Sequence, residues 1–150
     1  MHVIGETTTA AETAEGVRAV RLRLPARPEY IALGRLALTG LAEARTLEPD
    51  TIADLKLALT EAVSNSVRHA YGTEGDGQVE IRYELRGDRV TIEVVDDGNG
   101  FDPDESPSFD GDELSEGGLG IAIIRTIADE LEIESRPGVR GSRLRLVKNL

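Results

Sequence analysis

Residues 78–100 read QVEIRYELRGDRVTIEVVDDGNG, and this stretch decides the fold. Apolar side chains fall on every second position: Val79, Ile81, Tyr83 and Leu85, then, after Gly87-Asp88, Val90, Ile92 and Val94. A period of two belongs to a strand with one face on a core and one in water. Two such runs joined by a two-residue, glycine-containing reversal form a β-hairpin. The second strand runs directly into a polar Asp/Asn/Gly loop.

Upstream of the hairpin the period changes. Ile52, Leu55, Leu59, Val63 and Val67 follow helical spacing, which predicts a helix to about Ala70 with Asp50 as its N-cap and Gly72 as its stop. An earlier helix is expected over Glu29–Arg45, where Pro28 suits a first-turn position. Before it, Val17–Leu24 reads as a strand closed by Pro25 and Pro28, and residues 1–16 read as a loose polar tail to a domain spanning 17–150. Downstream, Asp96–Gly118 is an acidic loop long enough to cover a ligand. A third helix should then open at Leu119 or Gly120 and carry Ile121, Ile124 and Ile127. The strands Leu131–Ser135 and Ser142–Val147 close the chain. This order predicts an α+β fold: a two-layer sandwich of a mostly antiparallel sheet with helices on one face.

With 150 residues and 39% hydrophobic content, the chain supports one core. Having three Tyr, two Phe and no Trp, it must build that core from Leu, Ile, Val and Ala. A formal net charge of -11 argues against a nucleic-acid partner, whose phosphates require clustered Lys and Arg. No Cys is present, so disulfides and thiolate metal sites are excluded. The opening MHVIGETTTAAETAEG lacks a basic start followed by an apolar run, and no stretch approaches the ~18 apolar residues of a membrane span. The expectation is a soluble cytoplasmic protein without a membrane partner.

Four groups of residues can carry chemistry. Glu61, Asn65 and His69 recur at steps of four and share one face of the second helix. A carboxylate one turn from a carboxamide supplies a base for an attacking hydroxyl and an oxygen ligand for Mg²⁺; the same pattern also suits an ordinary solvated helix face. Asp96-Asp97-Gly98-Asn99-Gly100 places a carboxylate at a strand end beside glycines that allow close approach of a flat ligand, or it forms a tight turn. A Ca²⁺ loop is disfavoured, because the following acids lack the required spacing. Gly117-Gly118-Leu119-Gly120 offers free amides to phosphates at a helix start, or a purely structural entry. Neither the dinucleotide fingerprint nor the P-loop pattern is present. Gly141-Ser142 before the last strand also fits a plain turn.

In order and spacing, ALTEAVSNSVRHAYG, VVDDGNGFDP, GGLGIAIIRTIADELEIES and GSRLRL resemble the anti-sigma-factor serine/threonine kinases of the GHKL, or histidine-kinase-like, ATPase superfamily. The resemblance runs from Val17 over nearly the whole chain. It implies Glu61 as catalytic base and Asn65 as the ligand of Mg²⁺ on the triphosphate. Asp96 would receive the adenine amino group, with Gly98 and Gly100 bringing backbone close to the base. Gly118, Leu119 and Gly120 would lie along the phosphates, Arg68 near the phosphates or in solvent, and Ser142 near the adenine through a water. Phe101–Gly117 would be a nucleotide lid. The implied cofactors are ATP and Mg²⁺. The implied partners are a sigma factor, an anti-anti-sigma substrate of the STAS-domain type, and a second copy in a homodimer. A phosphate added to the substrate would be repelled by an acidic kinase. Two other readings compete: a nucleotide-gated module that sequesters a partner without phosphorylating it, and a histidine-kinase catalytic domain, for which no helical segment carrying a phosphoacceptor His precedes the ATPase region.

Overall fold

The hairpin forms as its alternation requires. In the computed structural model, which describes residues 8–14, 16–70, 77–104 and 116–150, β3 (Gln78–Arg86) and β4 (Arg89–Asp96) pair antiparallel from Val79↔Asp96 to Arg86↔Arg89. Gly87 takes φ 56° and Asp88 does not have a positive φ, the pattern of a two-residue reversal with glycine first. Val79, Ile81, Tyr83, Leu85, Val90, Ile92, Val94 and Asp96 are all buried on one face. The other face carries Arg–Glu pairs instead of a core: Arg82 to Glu93 at 2.7 Å and Arg143 to Glu93 at 2.8 Å.

The sheet has six strands in the order β1-β2-β3-β4-β6-β5, and all of its pairings are antiparallel. Its other members are β1 (Thr8–Ala14), β2 (Val17–Pro25), β5 (Glu130–Glu134) and β6 (Ser142–Asn149). The helices are α1 (Ile31–Glu43), entered through a 3₁₀ turn at Pro28–Tyr30, α2 (Pro49–Ala70) and α3 (Glu116–Ile127). α2 is central: it packs on β4, β3 and β6 and is flanked by α1 and α3. Leu55, Leu59, Ala62 and Val63 of α2 meet Ile81, Ile92, Val94, Leu144 and Leu146 of the sheet in one cluster, joined by Leu38 of α1 and by Ile121 and Ile124 of α3. The result is the expected α+β two-layer sandwich.

Three local expectations differ. Thr8–Ala14 is not a loose tail: it pairs with β2 from Thr8↔Arg23 to Ala14↔Val17 as an edge strand. Such a strand can be ordered by the backbone groups its neighbour offers, and TTAAETA gives no apolar alternation by which to recognise it. α2 begins at Pro49 rather than being capped by Asp50. The Ile52 amide donates to the Glu48 carbonyl at 3.0 Å, Pro49 fills the first position where its missing N–H costs nothing, and Asp50 sits in the first turn facing the positive helix end. α3 begins at Glu116, so the glycines lie inside its first turns and not ahead of them. The expected stop at Gly72 and residues 105–115 of the expected lid lie outside the described residues.

One buried contact ties α1 to the sheet. The Tyr83 hydroxyl donates to the Gly34 carbonyl at 2.7 Å, and burial pushes its phenol well above the ordinary tyrosine range, so it remains a donor. Tyr83→Phe should cost about 1 kcal/mol in urea unfolding. It removes one neutral hydrogen bond and leaves the carbonyl its partner in the helix ladder, so the full ~1–3 kcal/mol for an orphaned buried group does not apply.

Candidate functional site

α2 turns Asn65 inward. The residue is 2% exposed, and its side-chain carbonyl oxygen Oδ1 has no hydrogen-bond partner. A buried carbonyl without a partner costs roughly 1–3 kcal/mol, so a fold keeps one where a ligand can supply the missing contact. A neutral oxygen donor suits a hard cation such as Mg²⁺. Among the described residues no three His, Cys, Asp or Glu gather into a metal cage. The Asn65 carboxamide fits a cation whose other ligands include oxygens brought by a bound phosphate, which is how Mg²⁺ is held on phosphates.

Glu61, one turn earlier, is half-buried and lies against α3. A Cβ built on Gly120 would come within 2.9 Å of Glu61 Oε2, so the absence of a side chain on α3 is what makes room for this carboxylate. That gives Gly120 a role the sequence did not suggest. With the helix starting at Glu116, its amide lies in the helix ladder, whereas the Gly118 amide belongs to the first turn, where N–H groups have no intrahelical acceptor. Leu119 is exposed, as is Arg68 on the turn after Asn65.

The second half of the site sits at the end of β4. Asp96 is 6% exposed and shares the helix-facing side with Val94 and Ile92. Its Oδ1 accepts the Gly98 amide at 3.0 Å, and its Oδ2 accepts the Ser142 hydroxyl at 2.6 Å, since Ser142 is its cross-strand partner on β6. Two bonds fix the carboxylate and leave acceptor capacity for an amino group. Ser142 thus orients Asp96 directly. A cavity of about 520 Å³ opens at this end of the sheet, lined by Asp96, Ser142, Ser135, Val139 and Gly141 among others. A separate groove on the charged face, lined by Arg21, Arg82, Glu93 and Arg145, contains none of the sequence-predicted residues.

Gly100, after Asp96, answers to a contact within the protein. Gly100 has φ 75°, and a Cβ there would stand 2.2 Å from the Arg136 carbonyl oxygen and 2.7 Å from that of Val139. The Gly98 carbonyl accepts the Gly141 amide at 2.7 Å, and the Asn99 carbonyl accepts the Gly138 amide at 3.0 Å. Asp97, outside the sheet, pairs with Arg140 through two contacts of 3.0 Å, and that hydrogen-bonded guanidinium holds its carboxyl below the usual carboxylate range. The β5–β6 loop was not singled out from the sequence. Its signal was available: Pro137-Gly138 marks a turn just before Gly141-Ser142, and pairing the last strand with β4 sets that turn beside Asp96.

Residues 24–148 match the family described as the histidine kinase-like ATPase domain. The chain is similar to the serine-protein kinase RsbW of Bacillus velezensis, 40% identical over an alignment 128 residues long that covers 80% of each chain. It is likewise similar to RsbW of Bacillus subtilis, 39% identical over 80% of each chain, and of Listeria monocytogenes, 38% identical over 80% of this chain and 82% of that one. Among solved structures it resembles the RsbU and RsbW domains of a Mycobacterium tuberculosis protein, with TM-score 0.65 and 22% identity over 88% of this chain and 32% of that one, which bears on the fold alone.

Proposed function

The chain belongs to the histidine kinase-like ATPase domain family, and from that premise we propose that it is a serine/threonine protein kinase that moves the γ-phosphate of ATP to a partner protein. The observation that carries this reading is the unpartnered Oδ1 of buried Asn65, one helical turn from a half-buried Glu61 seated against Gly120.

Asp96, held by Gly98 and Ser142, receives the adenine amino group, and the first turn of α3, which contains Gly118, would lie along the phosphates. Asn65 Oδ1 would hold Mg²⁺, which would supply positive charge against the phosphate oxygens. Glu61 accepts the proton of the attacking serine hydroxyl. The serine oxygen then bonds to the γ-phosphorus as the bond from that phosphorus to the β–γ bridging oxygen breaks, and the electron pair leaves with ADP.

The relatives' name supports serine as the phosphoacceptor, and the order of the sequence boxes supports the partner class: a sigma factor that the kinase binds and inhibits, and an anti-anti-sigma protein of the STAS-domain type that it phosphorylates. No helix among the described residues is long and apolar enough to cross a membrane; a sigma-factor partner is what would place the kinase in the cytoplasm. Leu33 and Leu36 leave apolar surface on α1, which supports pairing of two copies there.

Calorimetric titration of ATP, with and without Mg²⁺, tests the site. Wild-type protein should bind more tightly with the metal. Asn65→Ala should lose that metal dependence, and Asp96→Asn should weaken binding by roughly tenfold or more, as expected when a charged acceptor in a buried hydrogen bond is neutralised. Absence of ATP binding by folded wild-type protein would overturn the reading.

A further inference from the structure

The loop between β5 and β6 touches the segment after Asp96 at nearly every residue. From Asp97 to Phe101 each residue has a partner in 135–141: the Asp97 carboxylate meets Arg140, the Gly98 and Asn99 carbonyls accept the Gly141 and Gly138 amides, Gly100 lies against the Arg136 and Val139 carbonyls, and the Phe101 amide donates to the Ser135 hydroxyl at 2.8 Å. The turn is itself fixed, with the Val139 amide on the Arg136 carbonyl at 3.1 Å across Pro137-Gly138 and Gly138 at φ 76°. A segment otherwise free to move is thus templated by a preformed reversal.

These contacts differ in weight. Asp97 and Arg140 have side chains 72% and 78% exposed, so their pair is screened by water and adds little. The backbone contacts tolerate any side chain except at Gly100, Gly138 and Gly141, whose φ values of 75°, 76° and 91° favour glycine. Ser135 is the one partly buried side chain in the set whose hydroxyl engages a backbone amide of the segment. Phe101, the residue it fixes, also packs against the core, so Ser135 closes the far end of the segment whose near end Ser142 closes at Asp96.

We propose that Ser135 is a positioning residue for nucleotide binding: by accepting the Phe101 amide it holds Gly98–Phe101 on the β5–β6 loop, so that Asp96 and the backbone after it stand ready for the adenine base. The assignment rests on the ATP-binding reading above. A segment fixed before binding does not have to be ordered at the cost of affinity, and removing the anchor returns that cost to the base end of the site while leaving the phosphate end, on α2 and α3, untouched.

The test compares two probes, Mg-ATP and Mg-tripolyphosphate, the second of which lacks a base. Ser135→Ala should raise the Kd for Mg-ATP by about fivefold or more while that for tripolyphosphate stays within about twofold. Ser135→Thr, which keeps the hydroxyl, should restore ATP affinity, and Arg140→Ala should stay within about twofold of wild type. Equal weakening of both probes, or ATP affinity unchanged in Ser135→Ala, overturns the role of Ser135 while the ATP site stands. Wild-type protein that binds no ATP overturns both. Should Ser135→Ala not fold, amide exchange in the wild type decides: a Phe101 N–H protected without nucleotide supports the anchor, and one that exchanges at the rate of an open chain overturns it.

Discussion

Glu61→Gln is expected to slow phosphotransfer by about 10²–10⁴-fold while leaving Mg-ATP affinity within about threefold of wild type. Glutamine keeps the length and shape of glutamate, so the contact with Gly120 and the packing of α2 on α3 survive. What it loses is the capacity to take a proton. Single-turnover transfer of labelled γ-phosphate to the partner gives the rate, and calorimetry on the same protein gives the affinity. A fall in both would make Glu61 a structural residue of the α2–α3 contact. Transfer at the wild-type rate would remove it from the chemistry. Wild-type protein that binds ATP and its partner but transfers nothing would return the chain to the class of nucleotide-gated sequestering modules.

Periodicity made much of this legible from the sequence. Alternation through Val90, Ile92 and Val94 already puts Asp96, two residues further on, on the core side, and steps of four put Glu61 and Asn65 on one helix face. Tertiary crossings were beyond its reach. That Oδ1 of Asn65 is buried without a partner, and that Glu61 has space because Gly120 lacks a side chain, depend on where α3 meets α2. Thr8–Ala14 was missed because an edge strand of threonines and alanines carries no apolar pattern. The resemblance sets Gly98 and Gly100 near the base, and to this the structure adds a demand at Gly100 that no local pattern carries, made by carbonyls 36 and 39 residues further along the chain.

That close contact makes Gly100→Ala the most damaging single-methyl change in the loop. The left-handed backbone alone costs a non-glycine residue about 1–2 kcal/mol. Gly87 shows that cost in isolation: it has φ 56°, and nothing lies within 4 Å of an added Cβ. At Gly100 the Cβ would also collide with the carbonyl oxygens of Arg136 and Val139, backbone atoms that cannot rotate aside as a flexible side chain would. Either the Gly98–Phe101 segment or the β5–β6 turn must shift, and the bonds from Gly138 to Asn99 and from Gly141 to Gly98 go with it. Gly100→Ala should therefore lose about 3 kcal/mol or more of unfolding free energy, against roughly 1 kcal/mol for Gly87→Ala, and should also weaken ATP binding, which Gly87→Ala should not. Urea unfolding and ATP titration of the two variants side by side make the comparison. Equal losses of stability would mean that the turn yields without resistance, and a loss of ATP affinity at unchanged stability would return Gly100 to direct contact with the base.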